Sequence, residues 1–253
     1  MQIIKLHRTG AEHMEEAARA AAEVLREGGT VVYPTDTAYG LGANALDANA
    51  IEKVFLLKER SRQKKVSVAV KDMAMACRIA VVSPVAQKFL KRILPGAVTV
   101  ILPKRQMTSD IRIGDDTVGL RVPETLFHEM LFRHIDFPIT VTSANISGDK
   151  PAYDIPSLLC QFKGRKLLPD LIIDAGSLKK VLPSTVVDLT GPKLKILREG
   201  PVSEAEILKI FAEVNRLRPW NNVTTRSPSG ILGTTKQSAA DRCVATEYRS
   251  NSR

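Results

Sequence analysis

The sequence is short of the residues that usually announce a chemistry. Aromatics make up 5% of the 253 residues, with a single tryptophan, Trp220. A platform for stacking single-stranded bases is therefore not expected. Cys77, Cys160 and Cys243 are far apart and odd in number. They imply neither a disulfide framework nor metal-ligand spacing, and a reducing compartment suits them better. All four histidines fall outside the polar loops, which removes a Ser-His-Asp arrangement. In HEMLFRH, His128 and His134 stand six apart rather than the four that places two ligands on one helix face. Neither a G-x-x-x-x-G-K-[ST] loop nor a G-x-G-x-x-G turn occurs. No apolar run approaches the ~20 residues of a membrane span. No signal-peptide core or Arg/Ser-rich presequence precedes the first helix. The reading is a cytoplasmic protein, with an organellar pool left open.

Negative charge is scarce as well. Lys and Arg number 37 against 27 Asp and Glu, a net charge of +10. From Pro219 onward there are five basic and two acidic residues, which leaves 32 basic and 25 acidic before it. The folded part is itself basic and favours anionic partners: nucleotides, RNA or phosphate. The 44% apolar and 25% charged fractions are those of an ordinary soluble protein.

Strand and helix patterns interleave along the chain. An alanine-rich helix over 11–27 ends at Gly28-Gly29. TVVYP then reads as a strand closed by Pro34. Asp47 caps a helix with an Ile51, Val54, Phe55, Leu57 face, which runs into the basic stretch LKERSRQKK at 57–65. VSVAV at 66–70 is a strand candidate, and Ser83-Pro84 starts another helix. Further strand candidates are 97–102, 117–122, 138–142, 171–175, 184–189 and 193–198. Helices fall at 124–134, from Asp154, and from a Ser203/Glu206 capping box to about Arg218. The expectation is one α/β domain over 10–218 with a mixed, twisted sheet. The Ser/Thr/Gly-rich segment 219–253 reads as a disordered tail.

The polar loops at strand ends carry the candidate chemistry. YPTDTAYGLG places hydroxyls and a carboxylate after a strand, then two glycines that let a backbone approach a ligand. Thr117 and Arg121 share one face of TVGLRVP. Arg121 in an apolar strand needs a mate, either an anionic ligand or an internal acid. TSANISG suits a turn that offers N–H groups to an anion. Ser184 and Arg198 fall near the same end of a hairpin. Such a set suits binding and polarising anions better than moving protons.

Taken in order, YPTDTAYGLGA, LKERS, LPGAVTVIL, TVGLRVP, TSANISG, STVVDL and ILREG resemble the YrdC family, the threonylcarbamoyl-AMP synthases, over roughly residues 10–215. The resemblance implies a twisted mixed α/β sheet flanked by helices around a deep basic cavity. It implies formation of threonylcarbamoyl-adenylate and pyrophosphate from L-threonine, bicarbonate and ATP, with Mg²⁺ accompanying the triphosphate. A downstream threonylcarbamoyl-transferase complex would pass the group to tRNA. By motif position, Thr37, Arg121 and Ser184 would contact threonine. Lys58, Arg60, Lys64, Thr117, Ser143, Asn145 and Arg198 would line the ATP site. Lys58 and Arg60 form the K-x-R motif and Ser143 and Asn145 the S-x-N motif, both tied to activity. Arg62 and Lys65 read as solvated charge. The chain departs from the family pattern at Glu59, where Gly is usual, at Lys65-Val66, at Ala69 and near Pro151. The alternative is a non-catalytic module that binds tRNA or double-stranded RNA in the same basic cavity.

Overall fold

A computed structural model of the chain describes residues 1–6, 11–105 and 116–217. The polar tail from Pro219, the expected helix end at Arg218, Trp220 and Cys243 lie outside the described residues.

Helix α1 (Ala11–Arg26) buries Ala17, Ala18, Ala21, Ala22 and Leu25, the three-and-four spacing of a single face. These small side chains let it lie close against α5 (Leu126–His134). Gly28 ends α1 with φ +73, while its N–H reaches Leu25 O at 3.3 Å and the Gly29 N–H reaches Val24 O at 2.8 Å. That pair of bonds is the left-handed cap expected of glycine at a helix end. Strand β1 (Gln2–Lys5), which the sequence pattern did not announce, runs parallel to β9 (Leu171–Asp174). Strand β2 (Thr30–Pro34) is buried throughout.

After a turn at 35–38 the chain folds straight back as β3 (Tyr39–Ala43), with Thr30 opposite Ala43 and Pro34 opposite Tyr39. The two glycines of YGLGA are thus strand residues. A Cβ on Gly42 would stand 2.9 Å from the Tyr33 ring, and one on Gly40 would stand 3.0 Å from Thr35 Cγ2. Gly42 makes room for Tyr33 across the hairpin and Gly40 for Thr35, a packing role beside the ligand approach expected of them.

The single expected sheet resolves into two. Five strands run in the order β1, β9, β2, β3 and β8 (Thr142–Ser143). The other sheet holds β4 (Val68–Ala69), β5 (Val98–Pro103), β6 (Thr117–Arg121), β7 (Ile139–Thr140), β10 (Thr185–Asp188) and β11 (Lys195–Arg198), in the order β11, β10, β5, β6, β4, β7. PITVT, read as one strand, is divided between them. Ile139 and Thr140 pair with β4 and Thr142 pairs with β3, while the Val141 N–H bonds Ser67 O at 2.8 Å. This crossing welds the two sheets at one corner.

The remaining helices cover the sheets. Helices α3 (Met73–Ile79), α4 (Pro84–Ile93) and α7 (Glu204–Leu217) join the larger core with α1 and α5. Phe89 on α4 meets Phe211 on α7 edge to face, with centroids 5.3 Å apart. Helices α2 (Ala48–Leu57) and α6 (Ile155–Phe162) close a second core around Val32, Leu41, Val54 and Leu158. The expected caps form: Asp47, Ser83 and Asp154 accept from the N–H groups of their helices, and Ser203 Oγ accepts from the Glu206 N–H at 3.3 Å. Among the described residues no helix is long and apolar enough to cross a membrane.

Candidate active site

Between the β2–β3 hairpin and the six-stranded sheet lies a cavity of about 350 Å³. Arg60, Lys65, Arg121 and Arg198 line it, and among the described residues no Asp or Glu does.

Arg121 closes β6 and is 6% exposed. Its Nη1 donates to Thr37 Oγ1 at 3.0 Å and its Nη2 to Asp36 Oδ1. Asp36 is delivered by the 35–38 turn, where Thr35 Oγ1 donates to Ala38 O at 2.6 Å and accepts from the Thr37 and Ala38 N–H groups at 3.3 Å. So the mate that the sequence left open is an internal acid. The pairing is incomplete, because Arg121 Nε and Asp36 Oδ2 are buried without partners among the described residues. Burial lowers the Arg121 pKa; Asp36 and Tyr33 oppose this and Arg198 adds to it.

Thr99, one step beyond the Val100–Leu120 pair that joins β5 to β6, shares a 2.8 Å hydrogen bond with Ser184 Oγ. Arg198 is tied down beside them: Nε and Nη2 donate to Ser184 O at 3.0 and 2.8 Å. At the other end of β6, Thr117 accepts from Lys65 Nζ at 2.8 Å. Arg60 Nη2 donates to Lys65 O at 2.8 Å and ties together this segment of the cavity wall. Thr117 and Arg121, four residues apart in a strand, are separated by about 13 Å. The cavity therefore has two cationic ends.

Seven of the ten expected site residues line it: Thr37, Arg60, Thr117, Arg121, Ser143, Ser184 and Arg198. Lys58, Lys64 and Asn145 do not. Lys58 is 1% exposed and caps α2 from beneath; its Nζ donates to the backbone carbonyls of Ser143 and, at 2.7 Å, Asn145. The Lys58 carbonyl accepts in turn from the Ser147 N–H at 2.7 Å. Asn145 Nδ2 bonds Ile146 O and Asp149 O at 2.8 and 2.7 Å. Both side chains hold the Ser143–Asp149 turn in shape rather than facing the cavity. Burial, then the Arg60 charge, pulls the Lys58 pKa from 10.5 to about 7.

Lys64 and Lys65 exchange their expected places, since Lys65 lines the cavity and Lys64 is exposed outside it. Arg62 pairs with Glu52 on the surface, as its reading as solvated charge suggests. Glu59 stands at the end of α2 with φ +48. Its N–H reaches Leu56 O at 3.1 Å and the Arg60 N–H reaches Phe55 O at 3.0 Å. This is the cap that Gly28 makes on α1, built here on a non-glycine whose side chain pairs with Arg165. A glycine at this position of the pattern has the same physical reason. The Ala69 departure is buried in register with Arg121, and Pro151 lines the cavity.

Sequence reasoning missed Thr99, and it noted the Asp36 carboxylate in its loop without joining it to Arg121. Thr99 had a signal: like Arg121, it is a polar residue inside an apolar strand. The Asp36–Arg121 pairing had no signal, because a turn aspartate looks the same whether it serves the turn or a neighbour.

Fold and cavity together define an α/β protein with a basic cavity between two mixed sheets. The sequence model of the Sua5/YciO/YrdC family, described as "telomere recombination", matches residues 23–200. The chain belongs to this family. A relative from Methanocaldococcus jannaschii is 32% identical over 204 residues, which cover 79% of this chain and 94% of the relative. The Homo sapiens relative named threonylcarbamoyl-AMP synthase is 34% identical, over 75% of this chain and 69% of its own. A crystal structure of P. abyssi Sua5 complexed with L-threonine superposes with a TM-score of 0.74 at 34% identity, covering 83% of this chain and 61% of that one.

Proposed function

We propose that this chain is a threonylcarbamoyl-AMP synthase, a nucleotidyltransferase that joins L-threonine, bicarbonate and ATP. The observation that carries the reading is one cavity with Arg121, Thr37 and Ser184 at one end and Arg60, Lys65 and Thr117 at the other. The name of the human relative and the threonine bound in the P. abyssi structure support it, and favour the enzyme over the non-catalytic RNA-binding alternative.

In this reading the threonine carboxylate meets Arg121, and the Thr37 and Ser184 hydroxyls fix its side-chain end. The triphosphate lies against Arg60 and Lys65. The threonine amine adds to the carbon of bicarbonate, water leaves, and an N-carboxylate forms. That carboxylate attacks the α-phosphorus of ATP and pyrophosphate leaves toward Arg60 and Lys65. The chain positions two anionic reactants head to head and stabilises the charge that develops between them. The K-x-R and S-x-N pairs divide the work: Arg60 and Ser143 face the cavity, while Lys58 and Asn145 keep the turn that carries Ser143. Among the described residues the cavity walls lack the carboxylates that a resident Mg²⁺ prefers. Mg²⁺ therefore enters on ATP as part of the substrate. A downstream transferase complex would consume the adenylate for tRNA modification.

The test is pyrophosphate release from ATP, with L-threonine and bicarbonate omitted in turn. Release that requires both supports the reading; release no greater with them than without them overturns it.

A further inference from the structure

Four cations reach the cavity, yet among the described residues only one, Arg121, is paired with a carboxylate, that of Asp36. Asp36 is not a lining residue; it is paired with Arg121, with 13% of its side chain exposed. Arg198 stands close enough for its charge to act on Arg121. Without Asp36 this end would hold two neighbouring guanidiniums facing one cavity, the arrangement that clamps a phosphate. The far end, with Arg60 and Lys65 and no acid among the described residues, keeps that capacity. A reaction that brings a triphosphate and an amino acid into one basic cavity needs the two ends to differ.

We propose that Asp36 is a specificity-determining residue that reserves the Arg121 end for a zwitterionic amino acid by excluding phosphates. The inference rests on the function proposed above and deepens it. Asp36 does so in two ways. Its Oδ1 fixes Arg121 Nη2, so that Nη1 and the Thr37 hydroxyl it bonds form the remaining face. Its charge offsets that of Arg121 toward any incoming anion. A zwitterion brings an ammonium with its carboxylate and meets no net repulsion. A phosphate chain brings two or more negative charges into the field of Asp36, close to a buried carboxylate oxygen that already lacks a donor. Electrostatic complementarity of this kind selects against wrong ligands more than it tightens the right one.

The experiment titrates pyrophosphate into full-length wild type, Asp36→Asn and Asp36→Glu by calorimetry, without ATP, and repeats this with saturating L-threonine. Wild type is expected to bind one pyrophosphate, with affinity unchanged by threonine. Asp36→Asn gains a second pyrophosphate about a hundred-fold tighter than any second event in wild type, and threonine displaces it. The charge-retaining Asp36→Glu returns to one. In steady state, pyrophosphate inhibits wild type competitively against ATP alone and Asp36→Asn competitively against both substrates. A merely structural role for Asp36 would shift melting temperature without creating that competition. A single pyrophosphate site in a folded Asp36→Asn overturns the proposal. If Asp36→Asn shows no cooperative melting, wild type decides: competition between pyrophosphate and threonine there overturns it, and independence supports it. The calorimetric arm reads the anion site without turnover, so a wild type that releases no pyrophosphate would overturn the function and leave this result legible.

Discussion

Replacing Lys58 by Met tests whether a buried ammonium pins the Ser143 turn. Lys58 is 1% exposed, and its Nζ has backbone carbonyls and the Asn145 side chain as partners, with no carboxylate among the described residues. Burial, helped by Arg60, lowers its pKa from 10.5 in a free chain to about 7. Below pH 7 both folded and unfolded Lys58 carry the proton, and the folded state bears the full cost of the buried charge. Between pH 7 and 10.5 only the unfolded chain keeps it. Stability contributed by Lys58 therefore rises with pH across that window, by up to about 1.4 kcal/mol per unit and on the order of 5 kcal/mol in all. Solvent screening does not reduce this, because the group is buried. The methionine side chain fills similar space and does not titrate. Urea unfolding of wild type and Lys58→Met at pH 7.5, 8.5 and 9.5 isolates the effect, since other titrating groups cancel in the difference. The wild-type advantage should grow by roughly 2–3 kcal/mol over that range. A flat difference would refute the argument. It would mean that the carbonyls of Ser143 and Asn145 hold the proton more strongly than burial expels it.

Three further outcomes follow from single side chains. Arg60→Ala should unfold like wild type yet lose about 10- to 150-fold or more in kcat/KM for pyrophosphate release, because a charge-assisted contact worth roughly 1.5–3 kcal/mol is gone. Turnover within three-fold of wild type, by the same assay, would remove Arg60 from the triphosphate end. Glu59→Gly should stabilise the fold in urea by about 0.5–1 kcal/mol: the left-handed backbone no longer strains a Cβ, and only a surface pair with Arg165 is lost. Gly42→Ala should cost about 1–3 kcal/mol and lower the thermal midpoint, because its Cβ would stand 2.9 Å from the buried Tyr33 ring.

Much of the fold was legible because its signals are local. Gly28-Gly29, Asp47, Ser83-Pro84 and Asp154 mark helix ends by hydrogen bonds made within a few residues, and the structure places a cap at each. Polar residues in apolar strands, such as Thr117 and Arg121, pointed to an interior that needs partners, and they face one cavity. The two-sheet division was not legible. PITVT has one strand-like pattern, and only pairing with β4 on one side and β3 on the other breaks it at Val141. Strand β3 hid for a similar reason: its glycines look like loop residues until the Tyr33 ring is laid across them.

The basic stretch at 57–65 shows the same limit. Composition and order established that it is cationic and that it follows a helix with a buried face. Which cation turns inward was decided by the left-handed residue Glu59. It reverses the chain so that Lys58 goes under the Ser143 turn, while Arg60 and then Lys65 reach the cavity and Lys64 stays outside. By itself, then, the sequence determined a basic α/β chain, its helix caps and the residue types of an anion site, because these depend on local bonds and on composition. Only tertiary structure decided which of those residues meet, and that Asp36 pairs with Arg121, because a side chain's partner is set by sheets joined from distant parts of the chain.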